Sequence, residues 1–215
     1  MGSSVTMFNN FGPMILKVEI PKDILNKLIL LTDKIINDKN KIPWGVNLAG
    51  QIEEEVEIPL NTLKKEKLLN VLESYLDKYV MMSLENIESR ILRERHVRSR
   101  IDRVWLNEMK SGEYNPFHHH DCHVSSVLYL KLPKNATKRN IKDKIDKDGH
   151  IEFIDRSTST MHLQSGTFSV APTVGTMYVF PSTLLHGVYP FLGEGTRRSI
   201  AWNGVYDWST CFNER

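Results

Sequence analysis

The chain has 215 residues, 40% of them hydrophobic, enough to bury a core in one domain with room for a helical annex. A net charge of +2 gives no argument for a nucleic-acid partner, and Cys122 and Cys211, far apart and in no metal-finger spacing, show no sign of a disulfide framework. No run is long enough to span a bilayer, and the opening MGSSVTMFNNFG has neither a charged nor an apolar signal region, so the sequence reads as a soluble protein of a reducing, cytoplasmic compartment.

Met14–Ile20 alternates as a strand and is stopped by Pro21. Asp23 is placed to cap a helix carrying Ile24, Leu25, Leu28, Leu31, Ile35 and Ile36 on one face. A looser segment with Pro43, Gly45 and Gly50 follows, and Glu53-Glu54-Glu55 reads as a solvated acidic patch. Leu63, Leu68, Leu72, Leu76, Val80 and Leu84 then predict one long helix from about Asn61 to Arg95. Arg90, Arg93, Arg95, Arg98, Arg100 and Arg103 read as a solvated helix end rather than a nucleic-acid contact.

From about Arg100 the texture changes. Short β-rich runs appear at Val104–Met109, Ser126–Lys131, Ile151–Ile154, Thr160–Gln164, Thr176–Phe180 and Arg198–Tyr206, punctuated by Gly, Pro and Asp. The basic stretch at about 131–149 interrupts them as an insertion, a place where specificity often resides. The expected architecture is mainly β with N-terminal helices (α+β) in a single domain, with residues 1–99 supporting a β core at 100–215.

Half of the eight histidines fall in His118-His119-His120-Asp121-Cys122-His123, just before an apolar run. Imidazoles and a carboxylate this dense are what a transition metal requires. Two registers are open: His118 with His120, or His119 with Asp121, each pair two apart and so on one side of an extended segment. A third ligand must come from elsewhere, and His186, isolated among apolar residues, is the candidate. Arg197 and Ser199 follow in Arg197-Arg198-Ser199-Ile200, and an arginine pointing into a β core needs an anionic partner, for which a carboxylate suits its planar fork.

Three strings together resemble a known family. Asn115-Pro116-Phe117-His118-His119-His120, Phe180-Pro181-Ser182-Thr183-Leu184-Leu185-His186-Gly187-Val188-Tyr189-Pro190 and Arg197 through Asn203 resemble the Fe(II)- and 2-oxoglutarate-dependent oxygenases. Within them the chain looks most like the branch of marine bacteria and phages related to prolyl hydroxylases, as does the segment Asn47–Ile52, read as helical. The resemblance implies a double-stranded β-helix (jelly roll) with the metal at its open end. It implies His118, His120 and His186 as ligands, Arg197 and Tyr129 on the far carboxylate of 2-oxoglutarate, and Ser199 and Asn107 lining that pocket. Most of the superfamily uses His-x-Asp; the gapless alignment to Ser125 instead puts His120 in the carboxylate's place, with His119 and Asp121 as the alternative. The implied reaction consumes O2 and 2-oxoglutarate, releases succinate and CO2, and hydroxylates a protein side chain or a small molecule.

Two other readings remain on the residues alone. A cupin-like three-histidine dioxygenase would share barrel and metal without needing Arg197, and a non-catalytic β-barrel binding protein would keep the site as a vestige. The metallo-β-lactamase string His-x-His-x-Asp-His fails here because the aspartate stands one position early.

Overall fold

The computed structural model describes residues 5–8, 12–85, 97–133, 135–136, 146–155 and 166–207. Strands buried on both faces dominate its second half: β4 (Arg98–Met109), β6 (Val124–Lys131), β10 (Thr176–Pro181) and β13 (Arg197–Asp207). They join β1 (Val5–Phe8), β2 (Ile15–Glu19) and β3 (Glu54–Glu57) in a seven-stranded antiparallel sheet of order β1-β2-β10-β6-β13-β4-β3. A second sheet, of order β5-β11-β8-β9, is built from β5 (Asn115–His118), β8 (Ile151–Ile154), β9 (Thr167–Val170) and β11 (Leu185–Val188). A short ribbon pairs β7 (Asn135–Ala136) with β12 (Gly193–Glu194).

Side-chain alternation assigns the two faces of the large sheet. Leu128, Met177, Val179, Ile200 and Trp202 point outward into one core cluster, shared with α1 (Lys22–Ile36), α2 (Leu60–Lys65) and α3 (Leu69–Glu85). Val127, Tyr129, Tyr178 and Phe180 point inward into a second cluster with Ile151 and Phe153 of the small sheet. Two antiparallel sheets face to face with helices packed on one outer surface make the double-stranded β-helix with N-terminal helices that the sequence suggested.

Several local expectations give way to the structure. The long helix from Asn61 is two helices, and its far end, at 86–95, lies outside the described residues. The break is a Schellman-type closure: Lys67 takes a left-handed φ of 58°, Lys67 N–H donates to Lys64 O and Leu68 N–H to Leu63 O. Leu63 and Leu68, both fully buried, supply the hydrophobic contact that normally accompanies this turn. A lysine in place of the usual glycine is why the periodicity ran straight through it. In α1 the cap position is Pro21, with no side-chain cap, and Asp23 lies in the first turn, where its charge suits the helix dipole. The segment Asn47–Ile52, read as helical, carries only the end of a 3₁₀ turn at Gly45–Asn47. The strands β1, β3, β5, β7, β9, β11 and β12 had no strand signal of their own. The run Thr160–Gln164, most of the insertion at 131–149, Cys211, and Arg90, Arg93 and Arg95 fall outside the described residues.

Buried charge locks α1 to the sheet. Arg198 points outward from β13, 3% exposed, and forks onto Glu108 of β4 through Nε and Nη2, while Nη1 donates to Asp33 Oδ1 at 2.6 Å and Thr32 Oγ1 at 3.3 Å. Thr196 Oγ1 donates to Glu108 Oε1 at 2.7 Å, and Lys131 also pairs with Asp33.

Candidate active site

β5 and β11 are hydrogen-bonded neighbours, and His118 and His186 are register partners across them. Side chains so paired stand on one face. His120 lies two residues past β5, in a loop fastened to the turn after β10: His120 N–H donates to Ser182 O at 3.0 Å, Ser182 N–H to His123 O at 3.2 Å, and the Ser182 hydroxyl to Cys122 O. The buried Ser182 thus explains why a serine follows Phe180-Pro181. It clamps the loop that carries a histidine.

One ring nitrogen from each of His118, His120 and His186 lies within 4.8 Å of the others. The opposite nitrogens are occupied. His118 Nδ1 donates to Pro116 O at 2.7 Å, His186 Nδ1 to Leu184 O at 2.8 Å, and His120 Nδ1 to Asn203 Oδ1 at 2.8 Å. Oxygen acceptors on all three Nδ1 atoms require Nδ1–H, so the Nε2 lone pairs are left to converge. Burial pushes His120 down to about 4 and His186 to about 3, and lowers His118 as well. Three neutral imidazoles at neutral pH are therefore ready to bind a metal without first losing a proton. His119 and Asp121, the alternative pair, are exposed, line an outer cleft of about 590 Å³, and join no metal-competent group among the described residues.

The trio forms one end of an inner cavity whose wall also includes Asn107, Arg197 and Ser199. Cross-strand register sets Asn107, Ser199 and Tyr129 side by side on β4, β13 and β6. Arg197 is one pleat further along β13, 2% exposed, its guanidinium carbon 4.9 Å from the Tyr129 ring centroid. Among the described residues its Nη1 reaches only Met109 Sδ at 4.0 Å, and Nε and Nη2 have no hydrogen-bond partner. Tyr129 Oη, Ser199 Oγ and Asn107 Oδ1 are unpartnered too. Arg197 and Arg198 are neighbours in sequence with opposite fates. One faces out to two carboxylates; the other faces in and meets none among the described residues. A buried guanidinium with free donors, beside two free hydroxyls, fits a carboxylate brought by a ligand.

Residues 103–203 match the family sequence model described as "Putative 2OG-Fe(II) oxygenase". The match spans 101 of the 215 residues, and over that stretch the chain is similar to the 2OG-Fe(II) oxygenases. That family's chemistry uses Fe(II), 2-oxoglutarate and O2, and the matched stretch of this chain contains the trio and Arg197. No curated relative matches the chain. Among solved structures, it is similar to a Pseudomonas putida prolyl-4-hydroxylase, 16% identical over 94% of this chain and 92% of that one, with a TM-score of 0.54. It is similar to the viral collagen prolyl hydroxylase of Paramecium Bursaria Chlorella virus-1, 13% identical over 94% and 96%, with a TM-score of 0.51. HygX from Streptomyces hygroscopicus, solved with nickel, 2-oxoglutarate and hygromycin B bound, is 11% identical over 89% and 82%, also at 0.51. At these identities the likeness speaks for the fold. No helix among the described residues is long and apolar enough to cross a membrane.

Glu55 departs from the solvated patch expected of Glu53-Glu54-Glu55. It is 3% exposed, register partner of Asn107, and neither carboxylate oxygen has a hydrogen-bond partner. Alternation on β3 turns it inward, and the backbone of the 45–50 loop covers it so closely that a Cβ on Gly50 would stand 2.3 Å from Glu55 Oε1. Burial, with a smaller contribution from the charge on Glu113, lifts its carboxyl to about 7. A carboxyl whose folded value is raised favours folding while protonated, and that stability is lost as pH rises from the usual 4.5 through about 7. Glu55→Gln should therefore raise the melting temperature at pH 8, by a gain on the order of 3 kcal/mol, and give no gain at pH 4.5. Equal effects at both pH values would refute a buried, ionising Glu55.

Proposed function

We propose that the chain is an Fe(II)- and 2-oxoglutarate-dependent hydroxylase in which His118, His120 and His186 hold the iron. Arg197 and Tyr129 receive the far carboxylate of 2-oxoglutarate, with Ser199 and Asn107 lining its pocket. One observation carries this reading: an unpartnered, fully buried guanidinium shares a cavity with three converging imidazoles.

Iron and 2-oxoglutarate, when bound, supply the activation of O2 that couples decarboxylation to succinate and CO2 with hydroxylation of a second substrate. The chain's own residues supply geometry. The Nδ1 hydrogen bonds turn the imidazoles toward one point, and Arg197 offers two parallel donors that fix one end of a dicarboxylate. Phe180 and Phe153 pack beside His186, at 4.8 and 6.2 Å between ring centroids, and keep that side of the site dry. The outer cleft reaches His118 and His120 from the other side, between Trp44, Trp105, Arg103 and Asn203. It is the entry for the second substrate, a protein side chain or a small molecule.

The test is assay of purified protein supplied with Fe(II), 2-oxoglutarate and oxygen. Expected are one metal ion per chain, lost in His186→Ala, and succinate formation that stops without iron or oxygen. Iron-loaded protein that neither binds nor consumes 2-oxoglutarate would instead favour the cupin-like reading.

A further inference from the structure

The three histidines are not held in the same way. His118 and His186 each donate Nδ1–H to a backbone carbonyl two residues earlier, a contact their own strand ends provide. His120 lies in the loop beyond β5, and its Nδ1 finds instead a side chain 83 residues away, Asn203 Oδ1 at 2.8 Å. We propose that Asn203 is the positioning residue that makes His120 a metal ligand, acting through a hydrogen bond that fixes both the tautomer and the ring orientation. The inference rests on the metal reading above and assigns a role to a residue outside the ligand set.

Three observations support it. First, Ser125 Oγ also donates to Asn203 Oδ1, at 2.9 Å, and lies 3.3 Å from His120 Nδ1. With Nε2 turned to the metal, His120 Nδ1 carries the ring proton, and only the carboxamide oxygen, not its NH2, can accept it; the Ser125 hydroxyl donates to the same oxygen. Second, the β4–β13 register breaks just at this point: Asn203 pairs with Arg103 but Gly204 pairs with Ile101, so β4 holds one extra residue, Asp102. A bulge beside a site re-aims the side chains around it. Third, Asn203 and His120 both line the outer cleft. Without Asn203, His120 Nδ1 would be left to the longer contact with the Ser125 hydroxyl, at 3.3 Å, and to water entering from the cleft.

The chemistry of the acceptor matters as well. A carboxamide accepts the Nδ1 proton without charge, so His120 stays a neutral ligand. A carboxylate at 203 would accept the same proton and make the ring a stronger donor toward the metal.

The decisive experiment is a Zn(II) and Co(II) titration of the full chain and of Asn203→Ala, Asn203→Asp and Ser125→Ala. It is read as dissociation constants, as the d–d spectrum of the cobalt form, and as the Nδ1 proton resonances of the zinc form. Asn203→Ala should weaken metal binding about 10- to 100-fold. It should also alter the cobalt spectrum and abolish one of three protected Nδ1–H signals while those of His118 and His186 persist. Asn203→Asp should restore both affinity and signal, which no merely structural role for Asn203 would do. Ser125→Ala, which removes the second donor to that oxygen, should weaken binding severalfold and serves if Asn203→Ala fails to fold. Parent-like affinity and spectrum in the alanine variants would overturn the proposal while leaving the metal reading intact. A parent chain that takes up no metal would overturn both.

Discussion

Replacing Arg197 with alanine is expected to raise the apparent Kd for 2-oxoglutarate about a hundredfold or more while leaving the ligand-free protein close to its parent melting temperature. Truncating one partner of a buried, hydrogen-bonded charge pair costs about 2–5 kcal/mol, and each 1.4 kcal/mol is tenfold in affinity. The stability half of the expectation is what marks the role. Among the described residues the guanidinium has no anionic partner and two donors unmet, and burial depresses its basicity. Its removal deletes a buried, unpaired charge rather than an interaction. Thermal shift with and without 2-oxoglutarate reads both quantities at once: the parent should gain melting temperature with the ligand and the variant should not. Arg197→Lys should fall between, keeping charge but losing the fork. A variant that binds 2-oxoglutarate as the parent does would remove Arg197 from the cosubstrate site.

The neighbouring residue should behave in the opposite way. Glu108→Ala is expected to destabilise the fold by about 3–5 kcal/mol, because it strands the Arg198 guanidinium, 3% exposed, with only Asp33 and Thr32 to meet it. Thr196 Oγ1 loses its acceptor in the same stroke. Denaturant unfolding measures the loss. Glu108→Gln should recover part of it, since a carboxamide oxygen can still accept one of the two guanidinium bonds. Metal affinity of whatever remains folded should be unchanged, as Glu108 lies on the face away from the trio. A loss below 1 kcal/mol would show that Asp33 alone sustains Arg198.

These two arginines also show what the sequence could and could not say. The order of His cluster, His186 and Arg197 was legible because metal and carboxylate chemistry demand particular side chains at particular spacings. The strands β6, β8, β10 and β13 were legible because their apolar runs are buried in the two cores. Glu55 was not: an acidic triplet looks solvated until alternation on an edge strand turns its last member inward. Strands β5 and β11 hid for a related reason. They are short and rich in polar or special residues, and they form by pairing in the small sheet, β11 between β5 and β8, not because their own propensities favour extension. Lys67 hid a helix end, since the left-handed turn is usually announced by glycine. Ser182 and Asn203 stood in plain view inside recognised strings. Their roles come from hydrogen bonds to loop atoms, the Asn203 bond spanning 83 residues, and spacing along the chain cannot show that.

The position of β13 has a further consequence for how the molecule comes into being. It is the last strand of the described chain, yet it lies in the middle of the large sheet, between β6 and β4. Arg197 pairs with Met109 from 88 residues away. Until β13 has been synthesised, β1, β2, β10 and β6 can zip on one side and β3 with β4 on the other, but nothing joins the halves. Such long-range closure belongs to the slow-folding end of β topologies, and on a ribosome adding roughly 5–20 residues per second β4 waits for several seconds with an open edge. The strand that finally closes the sheet also brings Arg197, Ser199 and Asn203. A chain that lacks β13 can pair His118 with His186 across β5 and β11, but it has no Arg197 or Ser199 in the inner cavity and no Asn203 beside His120.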